Sequence, residues 1–321
     1  MAGMNMLPQG EVESEPTSGD LSVVFTYIST ATGVFTKTIK KCDSGGSVTA
    51  PTDVGNVSST IGTGALLLDE HPALTFQGWN ITTFTNITHD MNVGAMYITT
   101  DGKTYSAVRL NTVTGLSPTI YLTTIGSGTL TVEWGDSTNS TSTTIGAVTL
   151  NHTYSVEGDY WIKISRNSGT YTLGGGGSTT TYVGGSIQEY KSSLISCFIG
   201  SEIDYISSFA LRQCNSLSFI TIPDSVTSIE TYAFNQCYSL SSITLPDSVT
   251  SIGTYSFYQC LACQEYILQP ITPPTLSDVN AFLGIDASTR MYVPDDSLTA
   301  YRTATNWATY ANYIYPISQR L

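Results

Sequence analysis

The chain has 321 residues, only 12% of them charged, and a formal net charge of −13. An acidic balance lacks the clustered lysine and arginine that phosphate contacts need, so a nucleic-acid partner is excluded. No apolar run approaches the length of a membrane span, so no membrane insertion is expected, and the length allows about two or three domains.

Residues 1–20, MAGMNMLPQGEVESEPTSGD, have neither a basic n-region nor an apolar h-region, so they do not read as a secretory signal. Either a signal has been removed, or the protein reaches the outside by another route. Methionine adapts to irregular apolar grooves, and a polar segment without a core can order on a partner. Met4, Met6, Leu7 and Pro8 therefore mark either a disordered tail or an anchor for a larger assembly.

Residues 21–115 read as strands: LSVVFTYIS, VFTKTIKKC, LTFQGW and GAMYITTDGKTYSAVRL. Asp101-Gly102, between alternating segments, predicts a hairpin. The Gly-Gly-Ser-Val-Thr-Ala-Pro after Cys42 and the Leu-Thr-Phe-Gln-Gly-Trp ending at Trp79 resemble the Listeria–Bacteroides repeat. That resemblance, over Val23 to Trp79, implies a small β-grasp-like module of the kind found in surface adhesins. Trp79 is read as core, with sugar stacking as the alternative.

Residues 116–172 carry Trp134-Gly135-Asp136, His152-Thr153-Tyr154 and Gly158-Asp159-Tyr160, followed by Ile162 and Ile164. These resemble the polycystic-kidney-disease-type Ig-like sandwich, which implies Trp134 before a tight turn and Tyr154 and Tyr160 in the packing. Asp136 and Asp159 are candidate calcium ligands, but no dense Asp-x-Asp array accompanies them, and a turn role is expected. His152 is expected to make a structural hydrogen bond. LGGGGSTTTYVGGS then marks residues 173–187 as a flexible joint.

Residues 188–321 repeat. SVTSIETYAFNQCYSLSSITLPDSVTSIGTYSFYQC, Ser225 to Cys260, states nearly the same phrase twice. Cys214, Cys237 and Cys260 are 23 residues apart, and Gln213, Gln236 and Gln259 keep the same step, as do Ile206, Ile229 and Ile252. A unit this short cannot close a core alone, so it must stack on its neighbours as a solenoid. Ser-Ile-Thr-Leu at Ser242–Leu245 reads as a strand with one buried face, and Pro246-Asp247 ends it. The phrase I-x-I/L-P-D-S-V-T-S-I-x-x-Y-A-F-x-Q-C-x-S-L resembles the BspA-like leucine-rich repeats of bacterial surface proteins and their phages. A degraded earlier unit surrounds Leu194, Cys197, Ile199 and Ile206, and the last unit decays where Cys263 replaces a leucine.

From residue 271 the chain reads as the C-terminal cap common in that family, since a solenoid end exposes an apolar face. Asp295 or Asp296 is expected to cap a helix bearing Leu298 and Tyr301, followed by a helical turn with Trp307, Tyr310 and Ile314 that Pro316 ends.

The catalytic inventory is thin. His71, His89 and His152 are far apart, and no nucleophile elbow, phosphate loop or zinc-protease helix occurs. Cys260-x-x-Cys263 has no second pair to complete a zinc site. No enzyme activity, cofactor or metal is expected. The fold expected is mainly β and multidomain: a β-grasp-like module, an Ig-like β-sandwich and a leucine-rich-repeat solenoid with a small helical cap. The function expected is adhesion or recognition, as a bacteriophage virion decoration or fibre protein held to a coat protein by its N-terminal tail. The alternative is a bacterial cell-surface adhesin. In either case the partner is a host-cell surface protein or glycan. The candidate contacts are the outward Thr221 and Thr244 on the strand face and Tyr232, Tyr238, Tyr255 and Tyr258 at the connecting turns. Tyrosine offers large amphipathic area with few rotors; the competing reading is that these rings only shield the solenoid edge.

Overall fold

The computed structural model describes residues 10–11, 21–28, 35–55, 74–79, 85, 87, 91–111, 115–175, 181–184 and 192–320. The expected anchor residues Met4, Met6, Leu7 and Pro8 lie outside them, as do His71 and His89. The chain divides into two compact units, Met1–Asp101 with Ser318–Leu321, and Gly102–Ile317.

In the first unit, β1 (Gly10–Glu11), β2 (Leu21–Ile28), β3 (Phe35–Cys42), β4 (Leu74–Trp79) and β5 (Met91–Thr99) form one mixed sheet in the order β1-β3-β2-β5-β4. Period-two alternation sets its core: Val23, Phe25 and Tyr27 on β2 and Val93, Ala95 and Tyr97 on β5 are all buried. Trp79 is half-buried and takes Phe25, Tyr27 and Phe76 edge-on at 5.2, 5.6 and 5.8 Å. These contacts give the ring a packing role.

The second unit begins with β6 (Thr104–Leu110), β7 (Thr119–Ile125), β8 (Leu130–Glu133), β9 (Asn139–Ser142), β10 (Gly146–Asn151), β11 (Gly158–Arg166), β12 (Thr170–Leu173) and β13 (Val183–Gly184). The repeats follow as β14 (Leu194–Phe198), β15 (Tyr205–Ile206), β16 (Phe219–Thr221), β17 (Ser228–Ile229), β18 (Ser242–Leu245), β19 (Ser251–Ile252), β20 (Glu265–Leu268), β21 (Thr275–Leu276), β22 (Arg290–Val293) and β23 (Ile314–Pro316). Asp101-Gly102 does form a turn, but it joins no hairpin: β5 pairs with β2 and β4, whereas β6 pairs with β11 and β14. All but one residue of β6 is buried, as befits an interior strand, and a turn signal alone does not choose its partners.

Two sheets enclose the first part of this unit. β7 pairs with β10, β12 and β13, and the other sheet runs β16-β14-β6-β11-β8-β9. That second sheet includes the repeat strands β14 and β16, so body and solenoid share a continuous ladder. Leu194 of β14 lies opposite Val108 of β6 in antiparallel register, and Cys197 lies beside Ile220 of β16 in parallel register. On the other side, Thr172 Oγ1 of β12 donates to Tyr205 O of β15 at 2.9 Å. A single apolar core extends from Val108 through the repeats to Ile314.

This continuity corrects the expected flexible joint. Thr181, Tyr182 and Val183 are fully buried, β13 pairs with β7, and the Tyr182 hydroxyl bonds Ser106 Oγ at 2.9 Å. Glu202, in the first repeat, pairs with Lys103 and accepts the Arg166 amide at 3.2 Å. Tyr182, buried inside this glycine- and threonine-rich run, fastens the described residues 181–184 of the stretch that composition alone reads as a linker.

The expected turn at Trp134-Gly135-Asp136 is present, with positive φ at Gly135 and Ser137. Trp134 stacks on His152 at 4.9 Å, and the Tyr154 hydroxyl donates to Trp134 O at 2.7 Å. Asp136 bonds His152 Nε2 at 2.7 Å and accepts from Thr138. Asp159 receives two 2.9 Å bonds from the Arg109 guanidinium across the β6–β11 ladder. Both carboxylates are thus engaged by the protein.

The repeated phrase has a physical meaning at each letter. Ser225 and Ser248 hydroxyls donate to Ile203 O and Val226 O of the preceding coil, both at 2.7 Å. Thr227 and Thr250 donate to Asp204 O and Thr227 O at 3.2 and 3.1 Å. Phe234, Phe257 and Phe282 form a parallel interior stack at 5.2 and 5.0 Å. The cysteines are more than small apolar fillers: Cys237 Sγ donates to Leu211 O and Cys260 Sγ to Phe234 O, each at 3.1 Å. Cys263 fills the slot held by Leu240 one coil earlier, which explains a Cys-x-x-Cys spacing without paired thiols.

The cap differs in detail. Leu298–Thr303 is the only α-helix among the described residues, flanked by 3-10 segments Asp295–Ser297 and Trp307–Tyr313. No side-chain hydrogen bond caps it, so neither Asp295 nor Asp296 has the expected capping role. Ile314 and Pro316 belong not to a helix but to β23, which pairs in parallel with β22. The cap is therefore partly one more coil. Trp307 and Tyr301 close it, donating to Pro274 O and Pro270 O at 2.7 and 2.9 Å.

Candidate functional site

The turn edge of the solenoid gathers the features that packing alone does not demand. In each coil the segment after the short strand (Thr231-Tyr232-Ala233-Phe234-Asn235-Gln236-Cys237 in the middle one) donates alternate amides forward. Tyr232 N, Phe234 N and Gln236 N bond Thr254 O, Ser256 O and Tyr258 O at 3.0, 2.8 and 2.8 Å. Such bonding requires a backbone that reverses twice, and two residues per coil have positive φ. They are Phe209 and Gln213, then Tyr232 and Gln236, then Tyr255 and Gln259, all between 55° and 63°.

The left-handed conformation costs a residue bearing a Cβ about 1–2 kcal/mol, and glycine would relieve it. Here three aromatic residues hold one of those positions. Phe209 and Tyr232 stack at 5.1 Å with planes 9° apart, and Tyr232 and Tyr255 at 5.2 Å with planes 16° apart. A favourable aromatic pair is worth roughly 0.5–1.5 kcal/mol beyond its burial, enough to offset most of the strain. Arg212 covers the Phe209 end at 5.8 Å, and Tyr258 closes the other end edge-on to Tyr255 at 5.4 Å.

The second left-handed position carries an amide ladder. Gln213 Nε2 donates to Gln236 Oε1 and Gln236 Nε2 to Gln259 Oε1, both at 3.0 Å. Gly284, with φ of 90°, ends it, since it lies against Gln259 and has no side chain to continue.

Of the residues singled out from the sequence, the structure unites Tyr232, Tyr255 and Tyr258 in one half-exposed ledge. Tyr238 is 39% exposed and stands outside the stack. Thr221 and Thr244 sit half-buried on β16 and β18. Phe209 was not among the expected contacts, although the 23-residue step through Tyr232 and Tyr255 leads directly to it. Among the described residues no group of three or more histidine, cysteine or acidic side chains could hold a metal ion. Nor, among them, is any helix long and apolar enough to cross a membrane.

Residues 183–299 match the BspA type leucine-rich repeat region, in six copies. Among solved structures, a leucine-rich repeat protein from Bacteroides ovatus ATCC 8483 is similar over 32% of this chain and 40% of its own length, at 22% identity and a TM-score of 0.17. The chain thus spans less than half of that protein, and the repeat assignment rests on the family match. No curated protein matches the chain.

Proposed function

We propose that this chain, whose C-terminal part is a BspA type repeat region, is a non-catalytic recognition protein displayed at the bacterial cell surface. The observation that carries this reading is the half-exposed aromatic ledge of Phe209, Tyr232, Tyr255 and Tyr258, the first three of them at strained backbone positions. Strain persists where the surroundings over-determine it, and it concentrates at sites of binding. The match to the BspA type repeat region supports the cell-surface adhesin, the alternative expected from the sequence, better than the virion protein.

The two bodies preceding the repeats serve as spacers in this reading. The β-grasp-like assignment of the first is supported by β2, which pairs antiparallel with β3 and parallel with β5. The Ig-like assignment of the second is supported by two sheets over a common core and by the Trp134–Tyr154 bond. The partner is a host-cell surface protein or glycan.

Adhesion of the purified full chain to cultured host cells tests the proposal. Tyr232→Ala with Tyr255→Ala should abolish adhesion, whereas Tyr238→Ala should leave it intact. Full adhesion by the double variant would remove the ledge from any binding role and leave it as edge shielding.

A further inference from the structure

We propose that the ledge binds a linear, uncharged glycan laid along the solenoid axis, one sugar per coil, with β-1,4-type linkage. This rests on the reading of the ledge as a recognition surface and names its ligand class.

Both ring faces of Tyr232 are covered, by Phe209 and by Tyr255, with planes 9° and 16° apart, and Arg212 and Tyr258 stand against the two ends of the stack. Only the rims remain for a ligand, and on Tyr232, Tyr255 and Tyr258 the rim carries a hydroxyl. Among the described residues no protein group bonds these three hydroxyls, and none of them is a buried, unsatisfied atom. They therefore face water. Each is both donor and acceptor, which suits a polyhydroxylated ligand.

Charge and spacing narrow the class. The stacked positions carry no ionised side chain, Arg212 stands at the Phe209 end, and the chain's net charge of −13 opposes a polyanion. The rings repeat at 5.1 and 5.2 Å. An extended β-1,4-linked pyranose chain advances one sugar over nearly that distance, so successive sugars meet the successive rims of Phe209, Tyr232 and Tyr255, the last two bearing hydroxyls. An extended peptide advances about 3.3 Å per residue and falls out of step within one coil. A β-1,3-linked glucan coils and cannot keep the register.

The test uses the full chain and calorimetry with cello- and chito-oligosaccharides of increasing length, with β-1,3-linked laminari-oligosaccharides as the comparison. Affinity should rise with length until the ledge is spanned and then level off, and only for the β-1,4 series. The variant Tyr232→Phe with Tyr255→Phe keeps the stack and removes two hydroxyls; about tenfold weaker binding is expected, with the unfolding midpoint unchanged. Equal binding of the β-1,3 series, no binding of either series, or no effect of the two phenylalanines would overturn the glycan assignment. If adhesion to cells is nevertheless lost in the double alanine variant, the recognition role stands and its ligand is a protein. If adhesion also persists, both readings fall.

Discussion

The ring of Tyr232 lies on that of Tyr255 at 5.2 Å, and both residues have positive φ. Strain and stacking therefore meet in the same two side chains, with similar magnitudes and opposite signs. Replacing Tyr232 by glycine relieves about 1–2 kcal/mol of left-handed strain and forfeits roughly 0.5–1.5 kcal/mol of stacking on each side. We expect a net loss of no more than about 2 kcal/mol in denaturant unfolding, alongside complete loss of adhesion. A loss above about 3 kcal/mol, the scale of an emptied core site, would mean that the ring is structural.

Phe234 is the interior counterpart. It is fully buried and stacked on Phe257. Phe234→Ala should cost about 3–5 kcal/mol, measured on the full chain by chemical denaturation. A negligible loss would contradict the inward register of the repeat.

The shared ladder makes a prediction about truncation. A fragment starting at Gly185 lacks β6 and Tyr182, leaving Cys197 and the rest of the first coil without the strands that cover it. We expect that fragment to lose cooperative unfolding, whereas one starting at Gly102 keeps it. Matching midpoints in a thermal melt would show that the coils need no N-terminal cover.

Much of this was legible before the fold was known. The 23-residue step located the coils because the same letters return, and alternation in Ser242–Leu245 located the buried face. The left-handed positions were not legible, because tyrosine and glutamine stand where glycine would have been the signal. Nor was the fusion of the two parts: it depends on β14 pairing with β6, a ladder between segments remote in sequence. For the candidate site, period alone led to Tyr232 and Tyr255. It could not tell them from Tyr238, which shares their chemistry and not their neighbours.

Thiol chemistry follows from burial. All six cysteines are buried and outside any disulfide, and burial pushes the Cys197 and Cys260 thiols up to about 12. The thiolate is the reactive form. An aromatic disulfide reagent at neutral pH should leave the native solenoid untouched and titrate six thiols once the chain is unfolded. Rapid reaction of Cys237 or Cys260 in the native state would show that the interior opens locally.

Acid stability depends on the Trp134 turn. Burial opposes ionisation of Asp136, but bonds from Thr138 and His152 prevail and hold its carboxyl below the usual value. A carboxylate with a lower folded than unfolded pKa adds stability at pH values above the unfolded one, about 3.9. That contribution disappears as pH falls through the folded value. Asp136→Asn should therefore lower the melting temperature near neutrality and flatten its decline below about pH 4. A parallel decline in both proteins would show that the turn does not sense pH.

The forward bonding of each coil to the next makes length a modular quantity. Ser225 and Ser248 make the same bond one step apart, so an in-frame duplication of one 23-residue coil would find every partner already in place. Neither terminal cover would need to change. Each duplication would extend reach by one strand spacing, about 4.8 Å, and add one ring to the ledge. Natural variants of different coil number would then form a graded series, a ruler whose divisions are written in tyrosine.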